Sequence, residues 1–86
     1  MSILFLMDPI ESMNPQKDTS LMFVLEALKR GRDTYFLAQG GISIQNGDIT
    51  FSVQQLILNS ESNARLPIKL GEDRNLTDRD VEFIFI

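Results

Sequence analysis

The sequence predicts an α/β domain with a central parallel sheet and a β-hairpin extension. Three observations lead there. Residues 3–7 (ILFLM) and 81–86 (VEFIFI) are apolar runs without clean polar alternation, the pattern of strands covered on both faces. An amphipathic helix lies between the first run and a second strand, which makes a β-α-β unit. Asn46-Gly47 joins two alternating apolar segments, the strongest short-range signal for a type I′ hairpin.

The elements follow in order. Asp8-Pro9 ends the first strand, because proline has no N–H to give a ladder. Residues 10–17 read as a polar loop. Asp18 suits a helix N-cap, with Thr19 and Ser20 in the first turn. Leu21, Val24, Leu25 and Leu28 fall on one helical stripe, and Met22, Phe23 and Ala27 widen it, which predicts broad packing on a sheet. Lys29 and Arg30 complement the dipole at the far end, and Gly31 is placed for a left-handed C′ cap. Residues 33–38 read as a second strand, parallel to the first, with Gly40-Gly41 as its exit turn. Pairing Gln45 with Asp48 puts Ile44 opposite Ile49 and Ile42 opposite Phe51, all on one face. Val53 continues that face, and residues 54–58 are either a bent continuation or a further strand. Residues 59–75 read as a polar loop anchored by Leu66, Ile68 and Leu70. Thr77 or Asp78 caps a short turn before residues 81–86, which are expected to form another central parallel strand. The result is a small Rossmann-like arrangement of two or three layers.

Composition sets the outer limits. At 86 residues and 9.8 kDa the chain is one domain, able to bury about 64% of its unfolded surface in one modest core. With 43% hydrophobic and 23% charged residues it is globular rather than disordered. It has no cysteine and no histidine, which excludes a disulfide framework, a thiolate or imidazole zinc site, a cysteine nucleophile and any histidine-based triad. The net charge of −4 opposes a phosphate backbone, so no nucleic-acid partner is expected. No apolar run reaches the ~18 residues of a membrane span, and the amino terminus lacks the basic region of a signal peptide. A cytoplasmic location fits the absence of cysteine.

Two segments carry candidate chemistry. Asp8, Pro9 and Ile10 lie at the carboxyl end of the first strand, where ligands bind in open α/β sheets. Lys17, Asp18, Thr19 and Ser20 form the start of the helix, where free N–H groups attract anions. Each has a plainer account: Asp-Pro is common turn chemistry, and Asp18 caps the helix, which itself lowers anion affinity. Gly40-Gly41 follows the second strand and belongs to no phosphate-binding motif, so dinucleotide binding by this chain is not expected. Met7, Met13 and Met22 read as packing residues. Asp78, Asp80 and Glu82 lack the spacing of a calcium loop and read as a solvated edge. A receiver-domain reading fails, because the acidic pair and the later lysine are missing. The last strand stops where a ligand would sit, so these 86 residues are expected to be one domain of a larger protein.

Taken as ordered strings, the motifs resemble the opening of prokaryotic glutathione synthetases. The matching pieces are Met7-Asp8-Pro9-Ile10, Lys17-Asp18-Thr19-Ser20, Glu26-Ala27 with Arg30-Gly31, the hairpin GGISIQNGDIT, and Asp80-Val81-Glu82-Phe83-Ile84. The likeness spans almost the whole chain and is weakest over residues 59–75. It implies the amino-terminal, pre-ATP-grasp domain of an ATP-dependent ligase. The complete enzyme of that family joins γ-glutamylcysteine to glycine through an acyl phosphate, converting ATP to ADP and phosphate. ATP and Mg²⁺ belong to later domains, so no cofactor is expected in this chain. The amino-terminal domain walls the substrate side of the cleft and contributes subunit contacts, which implies a homo-oligomer. Asp8, Pro9, Ile10, Lys17, Asp18, Thr19 and Ser20 are then cleft-facing residues, none of them catalytic. The family's R-x-D-P-P loop and both ATP-grasp domains lie outside these 86 residues, so the chain is not expected to catalyse the reaction alone. The alternative is a stand-alone, non-catalytic binding or oligomerisation module derived from such a domain.

Overall fold

A computed structural model describes residues 2–14 and 17–86. Its elements are β1 (Ser2–Leu6), α1 (Thr19–Lys29), β2 (Asp33–Gln45), β3 (Asp48–Leu58), β4 (Ile68–Thr77) and β5 (Val81–Phe85), with 3₁₀ turns at Ile10–Ser12 and Asp78–Asp80. The five strands form one mixed sheet in the order β4-β3-β2-β1-β5. β1 is parallel to both β2 and β5, while β3 and β4 add antiparallel pairs. This is the expected α/β class, a parallel core extended by a hairpin.

Side-chain alternation along β1 divides the core in two. Ile3 and Phe5 join Leu21 and Val24 of α1, with Phe36, Leu56 and Ile68, on the helix side. Leu4 faces the other way, onto Leu37, Phe51 and Val53. Among the described residues only one face carries a helix, so the sheet is two-layered there.

The helix is closed at both ends as its sequence requires. The Asp18 carboxylate accepts a hydrogen bond from the Ser20 backbone N–H at 3.0 Å, satisfying a donor that the helix cannot. Gly31 takes φ +74°. Its N–H reaches the Leu28 carbonyl at 3.0 Å, and that of Arg32 reaches Ala27 at 3.1 Å, the paired bonds of a Schellman motif. Met22 and Phe23 do not widen the buried face: they are 69% and 54% exposed.

The hairpin takes the expected register, with Ile44 opposite Ile49 and Ile42 opposite Phe51. Asn46 and Gly47 both have positive φ, as a type I′ turn demands. Of the two readings of residues 54–58, the continuation of the hairpin strand holds, since β3 runs to Leu58. Three expectations are corrected. The second strand continues past residue 38 to Gln45, and Gly40-Gly41 lies inside it at a break in register between Leu37 and Ile42. The carboxyl-terminal part of the supposed 59–75 loop, from residue 68 on, is β4, whose Ile68 and Leu70 pack on the helix-side core while most of its other residues are polar; an edge strand of that kind looks like a loop in sequence. Residues 81–86 contribute β5 at a sheet edge, not in the centre, because β5 pairs only with β1, whose other side is taken by β2.

The sheet is strongly coiled. β4 and β5 are opposite edges, yet only the three-residue turn Asp78–Asp80 joins them. In a flat five-stranded sheet those edges would stand about 19 Å apart, whereas a 3₁₀ turn advances only about 2 Å per residue. Register breaks in β2 and β3 swing the hairpin out of plane. Leu76 at the end of β4 and Val81 at the start of β5 consequently pack against the same cluster. The Thr77 N–H donates to the Asp80 carboxylate at 3.0 Å and fixes the turn.

A second clamp spans the helix side. The Arg65 guanidinium donates to the backbone carbonyls of Glu11, at 2.8 Å, and Met13. It ties the 59–67 segment to the loop that leaves β1. Among the described residues no helix is long and apolar enough to cross a membrane.

Two outcomes are expected. A Cβ on Gly41 would lie 2.8 Å from Leu37 Cδ1 and 2.9 Å from the Ser52 carbonyl, so Gly41→Ala should lower stability by about 1–3 kcal/mol in urea denaturation. Arg65→Ala should speed hydrogen exchange at the Ser12 and Met13 amides about tenfold, since charge-assisted bonds are worth about 1.5–3 kcal/mol. Arg65→Lys should recover only part of that protection, lacking the two-pronged donor.

Candidate functional site

The carboxyl ends of three parallel strands define one end of the sheet: β1 at Leu6, β2 beyond Leu37 and β5 at Phe85. Side chains at such ends have no further sheet to cover them, and the loops leaving the strands splay apart. A cavity of about 300 Å³ lies there, lined by Leu6, Met7, Asp8, Met13, Asp18, Ser20, Gln39 and Ile86.

The expected site residues divide. Asp8, Asp18 and Ser20 line this cavity. Thr19 lines an adjoining apolar one of about 250 Å³, with Phe5, Phe23 and Phe85. Pro9 is exposed and begins the Ile10–Ser12 turn. Ile10 packs against the helix-side core and lines a groove beside Arg65. Lys17 is exposed and does not line the cavity; its backbone N–H donates to the Asn14 carbonyl at 3.1 Å. The structure therefore gathers Asp8, Asp18 and Ser20 and leaves Pro9, Ile10 and Lys17 outside.

Five lining residues were not among the expected site residues: Leu6, Met7, Met13, Gln39 and Ile86. Gln39 follows the parallel segment of β2, directly after residue 38 where the sequence ends that strand, so the strand-end rule applied to Asp8 points to it as well. Met13 is 3% exposed within a polar stretch; a lone apolar residue in such a loop signals that the loop folds back on the core.

The polar lining has a definite character. The Asp8 and Asp18 carboxylates supply acceptors, and the Gln39 amide both donates and accepts. Asp18 already occupies the helix start, which leaves that terminus poorly suited to an anion. Such a lining favours a ligand with ammonium, amide or hydroxyl donors. The Ser20 hydroxyl adds a further donor and acceptor to this lining. Among the described residues no group of three acidic, histidine or cysteine side chains could hold a metal ion. Asp80 is instead bonded to Thr77, and Glu82 is paired with Arg32.

Comparison with known proteins bears on this geometry. A family model described as the N-terminal domain of prokaryotic glutathione synthetase matches residues 1–86. The glutathione synthetase of Yersinia pestis is 32% identical over 75 residues, covering 87% of this chain and 24% of that protein. That of Xanthomonas axonopodis pv. citri (strain 306) is 30% identical over 64 residues, or 74% of this chain and 20% of the relative. The Escherichia coli (strain K12) protein is 29% identical over 75 residues, again 87% and 24%. The chain thus spans a fifth to a quarter of the curated relatives it matches. An unbroken match from the first strand to the last, over a fold with its cavity at the expected end of the parallel strands, assigns the chain to the prokaryotic glutathione synthetase N-terminal domain family.

Proposed function

We propose that the chain is the substrate-side domain of an ATP-dependent ligase that joins γ-glutamylcysteine to glycine. The observation that carries this reading is the family match across residues 1–86. In this reading the cavity at the strand ends forms one wall of the ligase cleft. Asp8 and Asp18 offer acceptors to the ammonium and amide donors of a peptide substrate, and Ser20 and Gln39 fix its orientation. Thr19 and the Asp8-Pro9 turn frame the rim. Ile10 and Lys17 act at a distance, by packing and by solvated charge.

The described residues do not fit ATP or Mg²⁺. They offer no three-ligand acidic group, the helix start is occupied by Asp18, and the sequence has no glycine-rich phosphate loop. In this reading the phosphoryl chemistry is carried by other polypeptide, and this domain holds and orients one substrate. A cytoplasmic setting accords with a chain that has no cysteine.

A chimera tests the proposal. This chain replaces the matching segment of the Escherichia coli relative, and ADP release is measured with γ-glutamylcysteine and glycine. The chimera should be active, and the 86-residue chain alone should turn over nothing. Asp8→Asn in the chimera should raise KM for γ-glutamylcysteine about tenfold, as loss of one charge-assisted bond implies, with a smaller effect on kcat. Turnover by the isolated chain, or an unchanged KM in the variant, would refute the assignment.

A further inference from the structure

The segment that leaves β1 is a closed turn. The Ser12 N–H and hydroxyl both donate to the Pro9 carbonyl, at 3.0 and 2.8 Å, and the Met13 N–H donates to the Ile10 carbonyl at 3.2 Å. Such local bonds fix the shape of the turn but not its place on the domain. Its far end is Met13, 3% exposed and part of the wall of the strand-end cavity. A methionine side chain has three rotatable bonds and adapts to many gaps. Its place in a wall is therefore set by its backbone.

Arg65 holds that backbone. Its guanidinium donates to the carbonyls of Glu11, at 2.8 Å, and Met13, one inside the turn and one at its end. The support is itself anchored. The Asn59 N–H donates to the Pro67 carbonyl at 2.7 Å and closes the 59–67 loop, and the Ala64 N–H donates to the Glu61 carbonyl at 3.2 Å. Leu66, next to Arg65, is 8% exposed and lies in the same apolar cluster as Met13. Glu11 and Glu61 line a groove with Arg65, yet among the described residues neither carboxylate forms an ion pair with it. The guanidinium is spent on backbone carbonyls instead. The turn thus has Arg65 on one side and the cavity on the other. Arg65 belongs to none of the motifs that carry the resemblance to glutathione synthetases.

We infer that Arg65 is a positioning residue for the dipeptide substrate. Through the Glu11 and Met13 carbonyls it sets how far Met13 and the nearby Asp8 stand into the cavity that both line. It acts through the turn and does not touch the substrate. The kinetic consequence rests on the ligase reading, whereas the placement of Met13 does not.

Two measurements separate them. In the 86-residue chain, isotope-labelled at its methionine methyl groups and read by NMR, Arg65→Ala should displace the Met13 signal and leave that of Met22, 69% exposed on α1, in place. Arg74→Ala, which removes the same charge from β4, should move neither. In the chimera, Arg65→Ala should raise KM for γ-glutamylcysteine about fivefold or more, the order expected when a binding wall is misplaced, and leave kcat and KM for ATP within about twofold. Arg65→Lys should recover part of the loss, and it carries both measurements if Arg65→Ala does not fold. A merely structural role would lower the folded fraction, and with it kcat, without moving KM. An unmoved Met13 signal, or an unchanged KM for γ-glutamylcysteine in an active chimera, would overturn the inference. An inactive chimera beside a displaced Met13 signal would uphold the placement and count against the ligase reading instead.

Discussion

Burial of β1 on both faces and along both edges is the constraint on which the rest of this domain depends. Leu4 and Phe5 are 0% and 2% exposed, and they point into different clusters. A strand so placed must be apolar through its length after Ser2, must be paired on each side, and cannot be hydrated on either face. It follows that the chain leaving β1 emerges between β2 and β5, at the only point where three parallel strands end together. Asp8 owes its position to that geometry rather than to any contact of its own.

The second organising feature is the coil of the sheet. A one-turn link between opposite edges is possible only because β2 and β3 break register at corresponding places. The close approach of Gly41 to Leu37 and Ser52 marks where the bend is tightest. The coil also closes the face that carries no helix, by bringing Leu76 and Val81 to Leu4 and Leu37. The described residues, with one α-helix, thereby form a second apolar cluster without a third layer. On the helix side, Arg65 reaches from a segment distant in sequence to the backbone carbonyls of Glu11 and Met13, and so steadies the loop on which the cavity depends.

The chemistry of the cavity follows from what surrounds it. Two carboxylates, a hydroxyl and an amide can bind and orient a donor-rich ligand.

Local physics was legible in the residues. The N-cap of Asp18, the Gly31 termination, the β-α-β order and the Asn46-Gly47 register depend on neighbours within a few positions, so short-range sequence determined them. The Asp8, Asp18 and Ser20 part of the cavity was legible for the same reason, through strand-end and helix-start rules. Other features were settled by partners far along the chain. Whether residues 68–77 form a strand depended on β3 offering its edge. Whether Gly40-Gly41 ends a strand or bends one depended on the antiparallel pairing of residues 42–45 with 48–51. Central or edge placement of β5 was invisible locally, because an apolar run reads the same wherever it pairs. Met13 joined the site through the same long-range folding. Sequence by itself determined which segments could bury themselves, since apolar periodicity is intrinsic to the chain; tertiary structure alone decided which of them became neighbours, because pairing is a property of two segments and not of one.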